Sequence, residues 1–416
     1  MPKRILILAA TTGYQLRSFE QAARRLSMEV VLATDRCHQL EDPWGDRAIA
    51  VRFDDAEASL PAILAAAPFD GVVAVGDRPT VLAALAAARL GLPYGPAAAV
   101  SSCRDKYQMR EAFRAGGLKV PEYRLARIDD DPETVARRTR FPCVLKPLGL
   151  SASQGVIRAD DPATFVAAFR RIRAILESRP VRRLREPMHR FLQIESYIPG
   201  REFALEGLVT EGRLQPLALF DKADPLEGPY FEETIYVTPS RAPASVQAAI
   251  RDTVEQAVRA LGLRHSPVHA EMRVNADGVW MLELAARPIG GLCARALEFQ
   301  GGARLEEVVL RHAVGEDVSG VSLADGAHGV MMIPVPREGR YEGVQGVEDA
   351  RAVHGIEDVI ITAAPGEHLV PLPEGSSYLG FLFARGSAPD EVEAALRAAH
   401  QRLSFRIAAV LPVLTT

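Results

Sequence analysis

Glu271 and Glu283 are the residues whose types and spacing ask most directly for chemistry. They lie in the runs His269-Ala270-Glu271-Met272-Arg273-Val274 and Val279-Trp280-Met281-Leu282-Glu283-Leu284, joined by the polar turn Asn275-Ala276-Asp277-Gly278. Gly278 suits the left-handed position that closes a three-residue hairpin loop. With 276–278 as the loop, residue 275 pairs with 279 and Glu271 falls opposite Glu283. On that register Ala270, Met272, Val274, Trp280, Leu282 and Leu284 share an apolar face, and His269, Glu271, Arg273, Met281 and Glu283 share the other. Directly opposed carboxylates repel and weaken a strand pair. A cation, a shared proton or a nearby arginine has to compensate, and Arg273 and Arg287 are close in sequence. Two hard oxygen ligands with open positions suit Mg2+ held jointly with substrate phosphates. The hairpin alone leaves a structural charge cluster and a divalent-metal site both open.

The elements that must position these residues are legible as a pattern. Apolar runs at Ile5–Ala10, Val30–Ala33 and Gly71–Val75 alternate with helical stretches at about 15–27 and 79–90. This predicts a doubly wound parallel α/β domain over residues 1–100. Ligands of such sheets sit beyond the strand C-termini, where Thr11, Thr12, Gly13, Gly76 and Asp77 fall; plain turn chemistry is the other reading of the glycines. Residues 102–117 read as one charged helix, 131–140 as a second, and 162–186 as a long Arg-rich helix with a solvated basic face. Strands are expected at 122–125, 142–147, 191–196 and 202–209, and the strand 142–147 opens onto the small-residue loop Gly149–Val156. Helices follow at 250–262 and 303–314. Strands at 329–335, 356–362 and 378–385 and a helix at 389–403 make a C-terminal α+β unit over 320–416.

Composition narrows the function class. The chain has 416 residues, 48% hydrophobic and 25% charged, which excludes a disordered chain. A net charge of −4 supplies no basic field for nucleic acid. No apolar run reaches the ~20 residues of a membrane helix, and Ile5–Ala10 is too short for a signal-peptide core. Cys37, Cys103, Cys143 and Cys293 show no metal or disulfide spacing, so a reduced cytoplasmic setting is expected. Of 49 basic residues only five are lysine, at 3, 106, 119, 146 and 222. Against that background each lysine marks a place where a planar guanidinium would not serve.

Leu282-Glu283-Leu284-Ala285-Ala286-Arg287-Pro288-Ile289-Gly290-Gly291 resembles the metal-and-phosphate strand of the ATP-grasp ligases. Asp105-Lys106, Val144-Leu145-Lys146-Pro147, the loop 149–155 and Glu195-Ser196-Tyr197-Ile198-Pro199-Gly200-Arg201-Glu202 precede it in the family's order. The resemblance implies an ATP-grasp fold with an N-terminal domain (1–100), a linker helix and lid (101–200), a catalytic subdomain (201–319) and a C-terminal domain (320–416). It implies ATP and Mg2+ as cofactors. Lys106 and Lys146 would meet the phosphates, and the loop bearing Ser151, Ser153 and Gly155 would close over them. Glu195, Tyr197 and Ile198 would form the adenine hinge, with Glu195 acting through backbone groups, and Glu202 would bind the ribose. Glu271 and Glu283 would hold Mg2+. Arg287 would hold the γ-phosphoryl group and then the acyl phosphate. The family often has Asn where this chain has Ala285, which bears on a second Mg2+.

Phe220-Asp221-Lys222 and Pro229-Tyr230-Phe231-Glu232-Glu233-Thr234-Ile235-Tyr236 resemble the L-amino acid ligases that form dipeptides. The resemblance implies that a carboxylate is activated by ATP and attacked by an amine, with both substrates amino acids. It places Lys222, Glu233 and Tyr236 (where relatives have His) near the acid substrate, Gly290 and Gly291 at its side chain, and Asp77 near an amino group. Partners would be small molecules, without nucleic acid or membrane, and a homodimer is compatible. A purine-biosynthesis or biotin carboxylase-like ligase would share the ATP-binding parts. A non-catalytic ATP-binding regulator would not need both lysines, both glutamates and Arg287.

Overall fold

Runs that are apolar on both faces make the first sheet. β1 (Arg4–Ala9), β2 (Glu29–Thr34), β3 (Ile49–Ala50) and β4 (Gly71–Val75) are parallel, in the order β3-β2-β1-β4. The helices α1 (Tyr14–Arg25), α2 (Ala56–Ala65) and α3 (Thr80–Leu90) connect them. Leu6, Leu8, Val72 and Ala74 pack with Leu60, Ile63, Leu82 and Ala86 in one core. This is the doubly wound α/β layer that the alternation predicts. The computed structural model describes residues 2–10, 14–35 and 48–409; Thr11, Thr12, Gly13 and Cys37 lie outside the described residues. Two compact units interleave along the chain. The first holds Met1–Val120, Ala204–Leu219 and Pro243–Asp325, and the second Pro121–Phe203, Phe220–Ala242 and Gly326–Thr416.

The single helix expected over 102–117 is two helices, α4 (Ala97–Arg104) and α5 (Lys106–Ala115). Asp105 divides them. Its backbone is extended, and its carboxylate accepts the N–H groups of Tyr107 and Gln108 at 2.9 and 3.2 Å. An aspartate that caps the following turn competes with helix continuation, and Lys106 thereby becomes the first residue of α5.

In the second unit, β5 (Tyr123–Arg127), β6 (Cys143–Pro147), β7 (Ile157–Ala159) and β8 (Phe191–Ser196) form an antiparallel sheet in the order β5-β8-β6-β7. The short α6 (Pro132–Ala136) and the long α7 (Pro162–Glu177) accompany it. Phe165, Phe169, Ile172 and Ile175 of α7 pack on Leu145, Ile157, Leu192 and Ile194. The Arg-rich helix is shorter than its composition suggests. Ser178 is extended, and Pro180 opens the separate turn α8 (Arg179–Arg182), where its missing N–H costs nothing.

β9 (Arg201–Thr210) and β10 (Arg213–Lys222) come next. Pro216 reads against a strand, and no strand is expected there from sequence; it is exposed, so the ladder tolerates it. After them come β11 (Ile235–Thr238), α9 (Ala244–Leu261), β12 (His265–Asn275), β13 (Gly278–Ala285) and α10 (Leu305–Ala313). The chain ends with β14 (Ala327–Ile333), β15 (Gly339–Gln345), α11 (Val347–Arg351), β16 (Ile356–Ile361), β17 (His368–Leu369), β18 (Gly380–Gly386), α12 (Pro389–His400) and β19 (Ser404–Ala408). Within the first unit the order is β13-β12-β9-β10. Within the second, Asp221 and Lys222 at the end of β10 pair with β11, and β14, β18 and β16 follow. A small sheet β17-β15-β19 completes it, so the segment read as a tail supplies a strand.

The hairpin departs from expectation in its turn and keeps its key pair. Asn275 pairs with Gly278, so the loop is the two residues Ala276 and Asp277. A bulge between Glu271 and Met272 restores the register, and Glu271 does lie opposite Glu283. The extra residue reverses the parity of the preceding part of β13. Met281, expected on the polar face, is therefore fully buried, and Trp280 is half-exposed.

At the start of β12, His265 stacks on His312 of α10 with ring centroids 3.8 Å apart and planes 5° apart. His312 Nε2 meets Thr210 Oγ1 at 2.9 Å, and His265 Nε2 donates to the His312 carbonyl at 3.2 Å. Burial, and then the neighbouring His265, push His312 down to about 3; burial also lowers His265. Both rings are neutral in the folded protein near neutral pH, whereas an unfolded histidine takes up its proton near pH ~6.5. The unfolded chain thus binds more protons between these values. Stability is complete above pH ~6.5 and falls on acidification, by at most about 1.4 kcal/mol per pH unit for His312. Urea unfolding at pH 7 and pH 4.5 is expected to show this loss, and His312→Gln to flatten it; an identical acid limb in the variant would contradict the assignment.

Candidate active site

The first unit carries the acidic hairpin. Glu271 and Glu283 are half-buried and face each other across β12 and β13. Lys106, at the start of α5, brings its Nζ to 3.6 Å from Glu283 Oε2. Arg110 of the same helix donates to the Leu282 carbonyl at 2.9 Å, which fixes α5 against β13. The donor set fits Mg2+, since two carboxylates stand opposite each other on one hairpin and offer hard oxygen ligands.

Behind Glu271 lies a chain of buried groups. His269 Nε2 meets Glu271 Oε1 at 3.1 Å, its Nδ1 pairs with Glu206 Oε1 on β9, and Glu206 Oε2 accepts the Ile289 N–H at 3.1 Å. Burial works against charge on this ring, but Glu206 and then Glu271 outweigh it and lift His269 to about 9. Sequence reasoning placed His269 on the polar face and overlooked Glu206. The available signal was a carboxylate inside the apolar run Ala204-Leu205-Glu206-Gly207-Leu208, which cannot be buried without a partner.

Arg287, just after β13, makes a two-pronged ion pair with Asp77: Nε to Oδ1 at 2.9 Å and one terminal nitrogen to Oδ2 at 3.0 Å. Gly76, at φ +87°, turns the chain at the end of β4 and aims Asp77. Burial opposes charge on both partners. Their mutual attraction outweighs it, holding the Asp77 carboxyl below the usual range and the guanidinium above its own. Asp77, read from sequence as an amino-group contact, is thus paired with Arg287. Gly290 borders open space, with no atom within 4 Å of where a Cβ would stand; Gly291 is in the left-handed region at φ +64°.

The second unit carries two further clusters. Lys146 Nζ lies 2.5 Å from Glu195 Oε2, and Gln193 Nε2 donates to Glu195 Oε1 at 2.6 Å. Glu195 pairs across the sheet with Tyr123 and with Val144, so its backbone belongs to the ladder. Within the expected hinge segment 195–198, Glu195 thus offers its side chain. The Tyr197 N–H is taken by the Pro142 carbonyl at 3.0 Å, and Ile198 is buried. Lys222 pairs with Glu202 at 2.7 Å and with Glu233, and its Nζ lies 5.2 Å from the Tyr236 ring centroid. Tyr236 is 2% exposed and packs on Phe220 beneath Lys222.

The loop 149–155 is strained and folded on itself. Ala152 and Ser153 stand at φ +52° and +55°, which costs side-chain-bearing residues energy. The Gln154 N–H donates to Ser151 O at 3.2 Å and the Val156 N–H to Ser153 O at 3.1 Å. The Gly155 N–H donates to Pro373 O at 2.8 Å. Ser151 is exposed and Ser153 half-buried.

The Lys146–Glu195 pair yields a measurable expectation. Lys146→Ala removes the cation beside a carboxylate that is 2% exposed. Breaking a buried pair from one side costs about 3–5 kcal/mol. Urea unfolding should report a loss of that order, and a loss below about 1 kcal/mol would mean that Glu195 is satisfied without the lysine.

With this geometry established, three family comparisons can be read onto it. Residues 139–296 match the ATP-grasp domain, 19–94 the ATP-grasp N-terminal domain and 331–408 the L-amino acid ligase C-terminal domain 2. The chain is 28% identical over 221 residues to alanine–anticapsin ligase of Bacillus subtilis, covering 50% of this chain and 46% of that protein. It is 27% identical over 229 residues to D-alanine–D-alanine ligase of Laribacter hongkongensis, covering 52% of this chain and 68% of that one. The matched stretch thus spans about half the length of the alanine–anticapsin ligases. The crystal structure of an L-amino acid ligase from Bacillus licheniformis superposes with a TM-score of 0.82 and 26% identity, over 97% of this chain and 98% of that one.

Proposed function

We propose that this chain, which belongs to the ATP-grasp superfamily, is an ATP- and Mg2+-dependent ligase that joins the carboxylate of one amino acid to the amino group of another. The observation that carries this reading is the opposed Glu271–Glu283 pair on one hairpin, with Arg287 following at its end. The match of residues 331–408 to the L-amino acid ligase C-terminal domain supports amino acids as the substrates.

In the proposed reaction a carboxylate oxygen attacks the γ-phosphorus of ATP, the bond to the β-phosphate oxygen breaks, and ADP leaves. The amine then attacks the acyl carbon, phosphate leaves, and the amine gives up a proton. Bound Mg2+ would neutralise phosphate charge, held by Glu271 and Glu283. Lys106 and Lys146 are assigned to the phosphates as compact point charges, Glu195 and Gln193 to the nucleotide side of Lys146, and Glu202 to the ribose. Lys222 and Glu233 are assigned to the acid substrate. Arg287 is assigned to the transferred phosphoryl group, and Asp77 keeps that guanidinium aimed. Gly290, with open space at its Cβ position, leaves room for the acid's side chain. Catalysis by such a site is positioning and charge stabilisation without a covalent nucleophile. Ala285 supplies no ligand, so the reading requires one Mg2+ from the protein's own carboxylates. The setting is the cytoplasm; among the described residues no helix is long and apolar enough to cross a membrane.

Phosphate release from ATP and Mg2+ across a panel of amino-acid pairs tests this. Release is expected only when one amino acid can act as acid and another as amine. Release indifferent to amino acids across the panel would defeat the proposal. Glu283→Gln should lower turnover on the order of a thousandfold while leaving the unfolding midpoint within error; unchanged turnover would remove the metal assignment.

A further inference from the structure

The buried chain Ile289–Glu206–His269–Glu271 has no part in the reaction as proposed. Glu206 and His269 are 1% and 6% exposed, and neither reaches solvent as a ligand would. The imidazole nevertheless uses both nitrogens. Nδ1 faces Glu206 and Nε2 faces Glu271 Oε1, so the ring bridges two carboxylates. This contact fixes one oxygen of the Glu271 carboxylate from behind. The other oxygen of Glu206 holds the Ile289 N–H, two residues beyond Arg287. One rigid path thus links Glu271 to the backbone that carries Arg287.

We infer that His269 and Glu206 are positioning residues that lock the Glu271 carboxylate in its metal-binding orientation and register it with the Arg287 segment. The inference rests on the metal reading of Glu271 and Glu283. Outer hydrogen-bond partners of metal ligands typically govern affinity by ~10–100-fold.

The test is Mn2+ binding, read by electron paramagnetic resonance in the presence of a non-hydrolysable ATP analogue. His269→Asn keeps a donor near the Nδ1 position and loses the one toward Glu271; His269→Gln does the reverse. His269→Asn is expected to weaken Mn2+ binding by ~10–100-fold and His269→Gln, which loses only the Glu206 link, by a several-fold smaller factor, with analogue affinity in the absence of metal unchanged in both. Equal Mn2+ affinities in the two variants would overturn the inference, because a merely structural histidine would not distinguish them. Glu271→Gln and Glu283→Gln separate the two layers. If both lose Mn2+ while the histidine variants match each other, positioning fails and the metal reading stands. If both keep wild-type Mn2+ affinity, the metal reading fails and takes the inference with it. Should the histidine variants lose their near-ultraviolet circular dichroism, Glu206→Gln is read instead. It keeps an acceptor for Nδ1 and drops the one for Ile289, and is expected to weaken Mn2+ about tenfold; wild-type affinity there would overturn the inference.

Discussion

Charge that leaves water has to be matched, and the rest of this structure is arranged around that constraint. In the first unit Asp77 is matched by Arg287, Glu283 by Lys106, and Glu206 and Glu271 by the one imidazole of His269. In the second, Glu195 is matched by Lys146, and Glu202 and Glu233 by Lys222. An unmatched buried carboxylate is costly, so the deeply buried pairs, Glu195 with Lys146 and Glu202 with Lys222, serve the fold as well as the site.

The lysines show how the constraint selects residue types. In a chain with 44 arginines, three of the five lysines stand in buried or half-buried ion pairs with glutamates. Lys222 is the clearest case, with Glu202 and Glu233 on its ammonium and the Tyr236 ring beneath it. A guanidinium is planar and broader, and a three-sided niche of that kind suits a compact group with three rotatable donors. The two remaining lysines serve locally: Lys3 pairs with Glu316, and Lys119 lies over the Trp280 ring.

Rigid strands carry most of the groups, and the exceptions are informative. The loop 149–155 holds two side-chain-bearing residues in the left-handed region and is anchored by Gly155 and Gln154 to Pro373 and Glu374. Glu374 in turn pairs with Arg171 of α7, which also meets the Tyr230 hydroxyl. Within the second unit, then, the segment after β17 restrains a loop that sequence reasoning assigned to phosphate. Arg241 plays the corresponding part for α12, joining buried Asp221 to Asp390 and Glu393.

Much of this protein was settled by local pattern. Apolar runs broken by turn residues foretell β1, β2 and β4 because strands buried on both faces cannot hide their composition. The pairing of Glu271 with Glu283 is met because the shorter turn and the bulge offset one another by one residue. What alternation could not show is a bulge, since one extra residue changes parity without changing composition; hence the shorter turn and the burial of Met281. Nor could it show that Asp105 would end one helix and begin another, because capping depends on which conformation the aspartate adopts. The partners Asp77 with Arg287 and Glu206 with His269 lie 210 and 63 residues apart. Sequence alone determined which residues carry chemistry and the order in which they come. Only the tertiary structure decided which charges neutralise which, because burial sets the energy of a charge and burial is a property of the packed chain.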